Sequence, residues 1–246
     1  MALASRITVP SSTVGGLAGA PSALPSVNTA HPLVKLSASL ARKLAARGHN
    51  VVLAARNTSK LAGLVAETGA KAVACDASNA RDVDALFAGL GGVPEVVVYN
   101  AAYRVRGPLV TLDPNEVRKS LDITAFGAFL VAQAAVRQML PLKRGTILFT
   151  GASAGVKGFA QSAPFAMGKF ALRGLAQSMA REFHPQGIHI AHIVVDGLIR
   201  ASGRPDGGND NTLDPDGIAE SYLHLIDQPR NCWTSEIEVR PWLETF

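Results

Sequence analysis

From Leu36 onward the apolar positions follow two alternating rhythms. In LSASLARKLAARG, Leu36, Leu40 and Leu44 recur four apart on one helical face, with Ser37 or Ser39 as a candidate N-cap and Gly48 as a stop. NVVLAA follows as a short, nearly all-apolar run, the kind carried by a strand buried on both faces. The exchange repeats: SKLAGLVAETG reads as a helix, KAVACD as a strand, ARDVDALFAGL as a helix and EVVVYN as a strand. A long helix is expected over Pro114 to Met139, then the strand GTILFTG, a helix through SAPFAMGKFALRGLAQSMAREF, the strand IHIAHIVV, a helix near Asp214 to Ile226 and a last strand SEIEV. Strand and helix alternating over short connections predict one α/β domain: a doubly wound parallel sheet with helices on both faces, in three layers.

Residues 1–35 break this rhythm. They are rich in Ser, Ala, Gly and Pro, and no acidic residue precedes Glu67. The expectation is an irregular or disordered segment, or a strand RITV followed by a loop, ahead of a single domain over residues 36–246. An organellar transit peptide would share the composition, but Arg6 is the only base before Lys35 and four prolines forbid a long amphipathic helix. A cytoplasmic protein is the expectation, and organellar import the alternative.

Charge and cysteine content narrow the picture a little. The net charge of +5 comes from scattered bases without an aromatic-interleaved cluster, so no nucleic-acid partner is expected. Cys75 and Cys232 lie far apart with no metal-ligand spacing, which supports neither a disulfide framework nor a metal site. No apolar run reads as approaching the roughly 20 residues of a membrane span.

In a doubly wound sheet, ligands bind outside the carboxyl ends of the strands. The loops after Ala55, Asp76, Asn100, Gly151 and Gly197 should therefore surround one crevice. The order of Asp76, then Tyr99-Asn100-Ala101-Ala102, then TGASAG, then Phe165-Ala-Met-Gly-Lys169 running into RGLAQSMAREF, resembles the short-chain dehydrogenases/reductases from about Leu36 to the C-terminus. The resemblance implies a Rossmann-type fold, an NAD or NADP cofactor across the strand ends, a carbonyl or alcohol substrate, and a homodimer or homotetramer paired through the long helices.

It also implies a catalytic tetrad, and there the chain departs from the family pattern. Lys169 stands at the lysine position, Phe165 replaces the tyrosine, Ala152 falls at the serine position with Ser153 beside it, and Thr124 replaces the asparagine. The Pro-Gly pair after the sixth strand reads Asp196-Gly197. Lys35 and Ser37 occupy the second and third glycine positions of the phosphate-binding turn, where side chains obstruct backbone approach to a pyrophosphate. Gly15, Gly16 and Gly19 upstream could form an enlarged loop, or belong to a flexible tail.

Each remaining candidate carries two readings. Arg56 suits a ribose 2′-phosphate, favouring NADP, or is an ordinary turn arginine. Asp76 and Asn100 would meet the cofactor or serve as local turn and cap residues. Lys169 would hold the nicotinamide ribose or snorkel as a structural lysine, and Tyr103 and Ser153 are candidate substitute proton donors. The functional expectation is hydride transfer with atypical proton transfer and weakened cofactor affinity. The alternative is an inactive binding or interaction module.

Overall fold

A computed structural model describes residues 2–7, 32–200 and 210–243. Seven strands form one sheet in the order β3-β2-β1-β4-β5-β6-β7. The strands are β1 Ala2–Ile7, β2 His49–Ala55, β3 Lys71–Ala74, β4 Val96–Tyr99, β5 Thr146–Thr150, β6 His189–Val195 and β7 Glu236–Val239. Helices α1 Pro32–Ala46, α2 Ala62–Thr68 and α7 Pro215–Ile226 cover one face. Helices α3 Ala80–Ala88, α4 Pro114–Leu121, α5 Gly127–Met139 and α6 Ala163–Phe183 cover the other. Alternation along β4 shows how both faces fill: Val97 and Tyr99 join one core cluster, Val96 and Val98 the other. Local signals place the helix starts, since Asn79, Asp113 and Asp214 each accept a hydrogen bond from a backbone N–H of the helix they precede.

The doubly wound architecture is as expected except at the first strand. The β2–β3 and the β4-β5-β6-β7 pairings are parallel, whereas β1 runs antiparallel to both β2 and β4. Ala2 pairs with Ala54 and Tyr99 at the crevice edge, and Ile7 pairs with His49 at the opposite edge. A two-residue turn through Arg47 and Gly48 joins α1 to β2, so α1 begins at the crevice while β1 ends away from it. Residues 8–31 lie outside the described residues, and Gly15 to Gly19 with them. A tight turn forces βαβ strands parallel; a connection this long does not.

Three further expectations are corrected. The first helix begins at Pro32, not Leu36, with Ser37 and Ser39 buried inside it instead of capping it. The long helix expected from Pro114 is interrupted by a π-helical turn, Asp122–Phe126, centred on Thr124. The stretch Pro114–Leu142 is also long and apolar enough by composition to cross a membrane, but 56% of its most apolar window is buried inside the fold, as for a core helix against a sheet.

Candidate active site

Lys169 lies in the second turn of α6, 1% exposed, with its amine donating to the Thr150 carbonyl at the end of β5 at 2.6 Å. It does not snorkel. Burial pushes its pKa down to about 7. The Thr150 hydroxyl in turn shares a 2.7 Å hydrogen bond with the Tyr222 hydroxyl of α7, so this strand end is tied to helices on both faces. Phe165, four residues before Lys169, is half-buried; the Lys169 amine lies 5.8 Å from its ring centroid and the Arg104 guanidinium carbon 5.0 Å. The ring that replaces a phenol is thus a contact surface for two cations.

Thr124 sits where the π turn meets α6. It is fully buried, and a Cβ at Gly168 would come within 2.9 Å of its own Cβ, so only glycine permits this approach. Its hydroxyl accepts from the Tyr103 N–H at 3.2 Å, while Ser120 donates to the Tyr103 carbonyl at 2.7 Å. The β4 loop, the π turn and the start of α6 therefore converge, as the strand-end argument requires. The Tyr103 hydroxyl itself donates to Glu116 of α4 at 2.6 Å.

Ser153 opens a 3₁₀ turn after β5 and hydrogen-bonds Asp196 at the end of β6. Asp196 is almost wholly buried and ion-paired with Arg240, just past β7; Lys157 lies 3.8 Å away. Burial opposes its ionisation, but the Ser153 hydroxyl, Arg240 and Lys157 hold its carboxyl below the usual range. Gly197 follows with φ 149°, a left-handed value suited to glycine. Ala152 precedes Ser153 in extended backbone. Arg240 carries no motif and was not legible from the sequence; its position at the end of the last strand was the available signal.

At the other side of the crevice, the buried side-chain amide of Asn100 donates to the Ser37 hydroxyl at 2.7 Å. Ser39 donates to Asp216 of α7. Ala101 is half-buried against the core. Asp76 accepts from the Ser78 hydroxyl and N–H, which outweigh burial and keep its carboxyl low, with Arg56 adding a favourable charge. Arg56 is exposed just beyond β2. The crevice therefore holds Arg56, Asp76, Asn100, Thr124, Ser153, Phe165, Lys169 and Gly197 along adjoining strand ends.

These residues fit the adenosine end of a dinucleotide, where exposed Arg56 faces the Asp76 turn. They do not fit a tight pyrophosphate turn: β1 does not lead into α1, and Ser37 is buried against Asn100 where a glycine would let backbone approach phosphate.

Residues 36–203 match the family model described as short chain dehydrogenase. An uncharacterised oxidoreductase of Staphylococcus aureus (strain N315) is 29% identical over 213 residues, covering 82% of this chain and 91% of that protein. The crystal structure of a short-chain dehydrogenase from Rhodopseudomonas palustris shares 35% identity with a TM-score of 0.74, covering 85% of this chain and 94% of that one. A metagenomic short-chain oxidoreductase in complex with NADP shares 29% identity with the same TM-score, covering 85% and 93%.

Proposed function

The chain belongs to the short-chain dehydrogenase family, and on that premise we propose that it is a divergent NADP-preferring oxidoreductase whose proton transfer is impaired. A bound nicotinamide would supply or accept the hydride at a carbonyl or alcohol carbon. The observation that carries the reading is the pairing of Phe165 with Lys169 at the strand ends, because it keeps the four-residue spacing of the resembled motif while lacking the hydroxyl. Phe165 has no proton to give, Thr124 stands at the asparagine position and Ala152 at the serine position, so three tetrad functions are eroded. Losing a general acid costs about 10²–10⁴-fold, or roughly 3–5 kcal/mol of barrier, which leaves slow turnover by positioning. Ser153, hydrogen-bonded to Asp196, and Lys169, titrating near neutrality, remain as polar groups for the reacting oxygen.

Arg56 supports the NADP preference, and the relative bound to NADP is consistent with it. The reversed β1 and the buried Ser37 support an affinity weaker than the micromolar range. We assign residues 32–246, together with the central strand Ala2–Ile7, to one domain, acting in the cytoplasm as a homodimer or homotetramer through α5 and α6, with neither a nucleic-acid nor a membrane partner. The second reading, an inactive binding module, is favoured by one contact: the Lys169 amine is turned onto the Thr150 carbonyl.

Calorimetric titration of the purified chain with NADPH and NADH tests the proposal. Weak binding of NADPH, weaker still of NADH, with slow carbonyl reduction is the expected result. Tight binding would remove the impaired-affinity part, and no binding of either would leave the inactive module.

A further inference from the structure

Away from the crevice, a hollow of about 260 Å³ opens where three turns of the chain enter the sheet. Lys143 leads into β5, His184 to Gly187 into β6 and Arg230 to Trp233 into β7, so the hollow lies at the amino ends of these strands, opposite the crevice. One oxygen joins the three turns. The Lys143 carbonyl accepts from Arg230 at 2.8 Å, and a Cβ at Gly187 would come within 2.3 Å of it, so only glycine, here at φ 85°, permits the approach. The wall is aromatic. The Trp233 ring lies flat on that of buried His189, with centroids 4.9 Å apart and planes 4° apart, and the His184 ring meets it edge-on at 5.3 Å. Trp233 is only half-buried, so the indole surface lining the hollow is not the one that His189 covers. Its Nε1 donates to the Gln228 carbonyl at 3.2 Å, which holds the ring in place. Among the described residues, the Lys143 amine and the remaining Arg230 N–H groups have no partner, and no carboxylate lines the hollow.

We propose that this hollow is a binding site for a small planar aromatic carboxylate, whose ring rests against Trp233 and whose carboxylate meets Arg230 and Lys143. The site is separate from the crevice and does not depend on the oxidoreductase reading. An indole backed by a second ring favours a flat apolar partner. Arg230 gives one N–H to the Lys143 carbonyl, which anchors the guanidinium and leaves donors for both oxygens of a carboxylate. The Lys143 ammonium adds a second positive charge on the same wall. The volume falls below the roughly 300–1,000 Å³ of sites for drug-sized ligands, so it suits one or two fused rings and not a dinucleotide.

Three probes separate ring from charge: 2-naphthoate, its neutral isostere 2-naphthamide, and acetate, each titrated into the full chain by calorimetry. Naphthoate is expected to bind about tenfold more tightly than either of the others, with its advantage over the amide falling as salt is raised. Arg230→Gln and Lys143→Gln are each expected to reduce that advantage, and Trp233→Leu to weaken naphthoate and naphthamide alike, with thermal melting confirming that each variant is folded. Phe165→Ala, in the crevice, is expected to leave naphthoate affinity unchanged. Equal binding of acid and amide, acetate binding as tightly as naphthoate, or no binding of naphthoate overturns the proposal. So does naphthoate affinity that survives in folded Arg230→Gln and Lys143→Gln, or that falls in folded Phe165→Ala, since the ligand would then occupy the crevice.

Discussion

The Asn100 side-chain amide donates to the Ser37 hydroxyl at 2.7 Å, joining the end of β4 to the first helix across the place where a phosphate-binding turn would open. Ser37 is fully buried there. Ser37→Gly removes both the hydrogen bond and the Cβ that narrows backbone approach, at a stability cost of about 1–3 kcal/mol from the lost bond and the helix glycine. NADPH affinity is expected to rise several-fold in calorimetry, and Ser37→Ala, which keeps a Cβ, to gain less. Unchanged affinity in a folded Ser37→Gly protein would place the obstruction elsewhere.

Much of this crevice was legible because strand ends are set by apolar runs. VVVY and ILFT are continuous enough to fix β4 and β5, and with them the loops carrying Asn100 and Ser153. The direction of β1 was not legible, since ALASRI has no periodicity that encodes polarity and a long connection releases the parallel constraint. Nor was the π turn at Thr124, which packs closely against Gly168 of another helix, a tertiary contact that local periodicity does not encode. Lys169 carried two readings, ribose-binding and snorkelling; its bond to Thr150 depends on β5 and α6 packing together, which spacing alone does not state.

Restoring the missing proton donor is the direct test of the site's chemistry. In Phe165→Tyr with Ala152→Ser, the new phenol would stand near Lys169 and Arg104, whose positive charges favour its ionised form and lower its pKa. Carbonyl reduction at saturating NADPH is expected to rise about 10²-fold, followed as NADPH oxidation. No gain would assign the limitation to Thr124 or to the shape of the substrate pocket.

Asp196 anchors the ends of β6 and β7, pairing with Arg240 while accepting from Ser153. Asp196→Asn removes one carboxylate from half-buried Arg240, which Glu238 also meets at 3.3 Å, so a loss of about 1–3 kcal/mol is expected in urea denaturation. Because its folded pKa is depressed, the native carboxylate contributes stability above its unfolded pKa and loses it as pH falls through the folded value. The native and variant stabilities should therefore converge in acid. A gap that stays constant down to the acid limit would deny Asp196 this ionised role.

Lys169 gives the clearest pH signature, since its amine titrates near 7 in the fold against an ordinary value of 10.5. Between those values the unfolded chain binds a proton that the folded chain does not, so this group makes stability rise with pH, by up to about 1.4 kcal/mol per pH unit. Below the window both states are charged and above it both are neutral, so the slope vanishes on either side. Lys169→Met removes the titrating group and also leaves the Thr150 carbonyl without its donor, a cost that does not depend on pH. The stability of the native protein relative to Lys169→Met should therefore climb steadily from neutral pH toward 10.5, measured by urea denaturation at several pH values across that window. Parallel stability curves for the two proteins would mean that the buried amine keeps its ordinary pKa, and with it would go the near-neutral proton that the proposed chemistry assigns to Lys169.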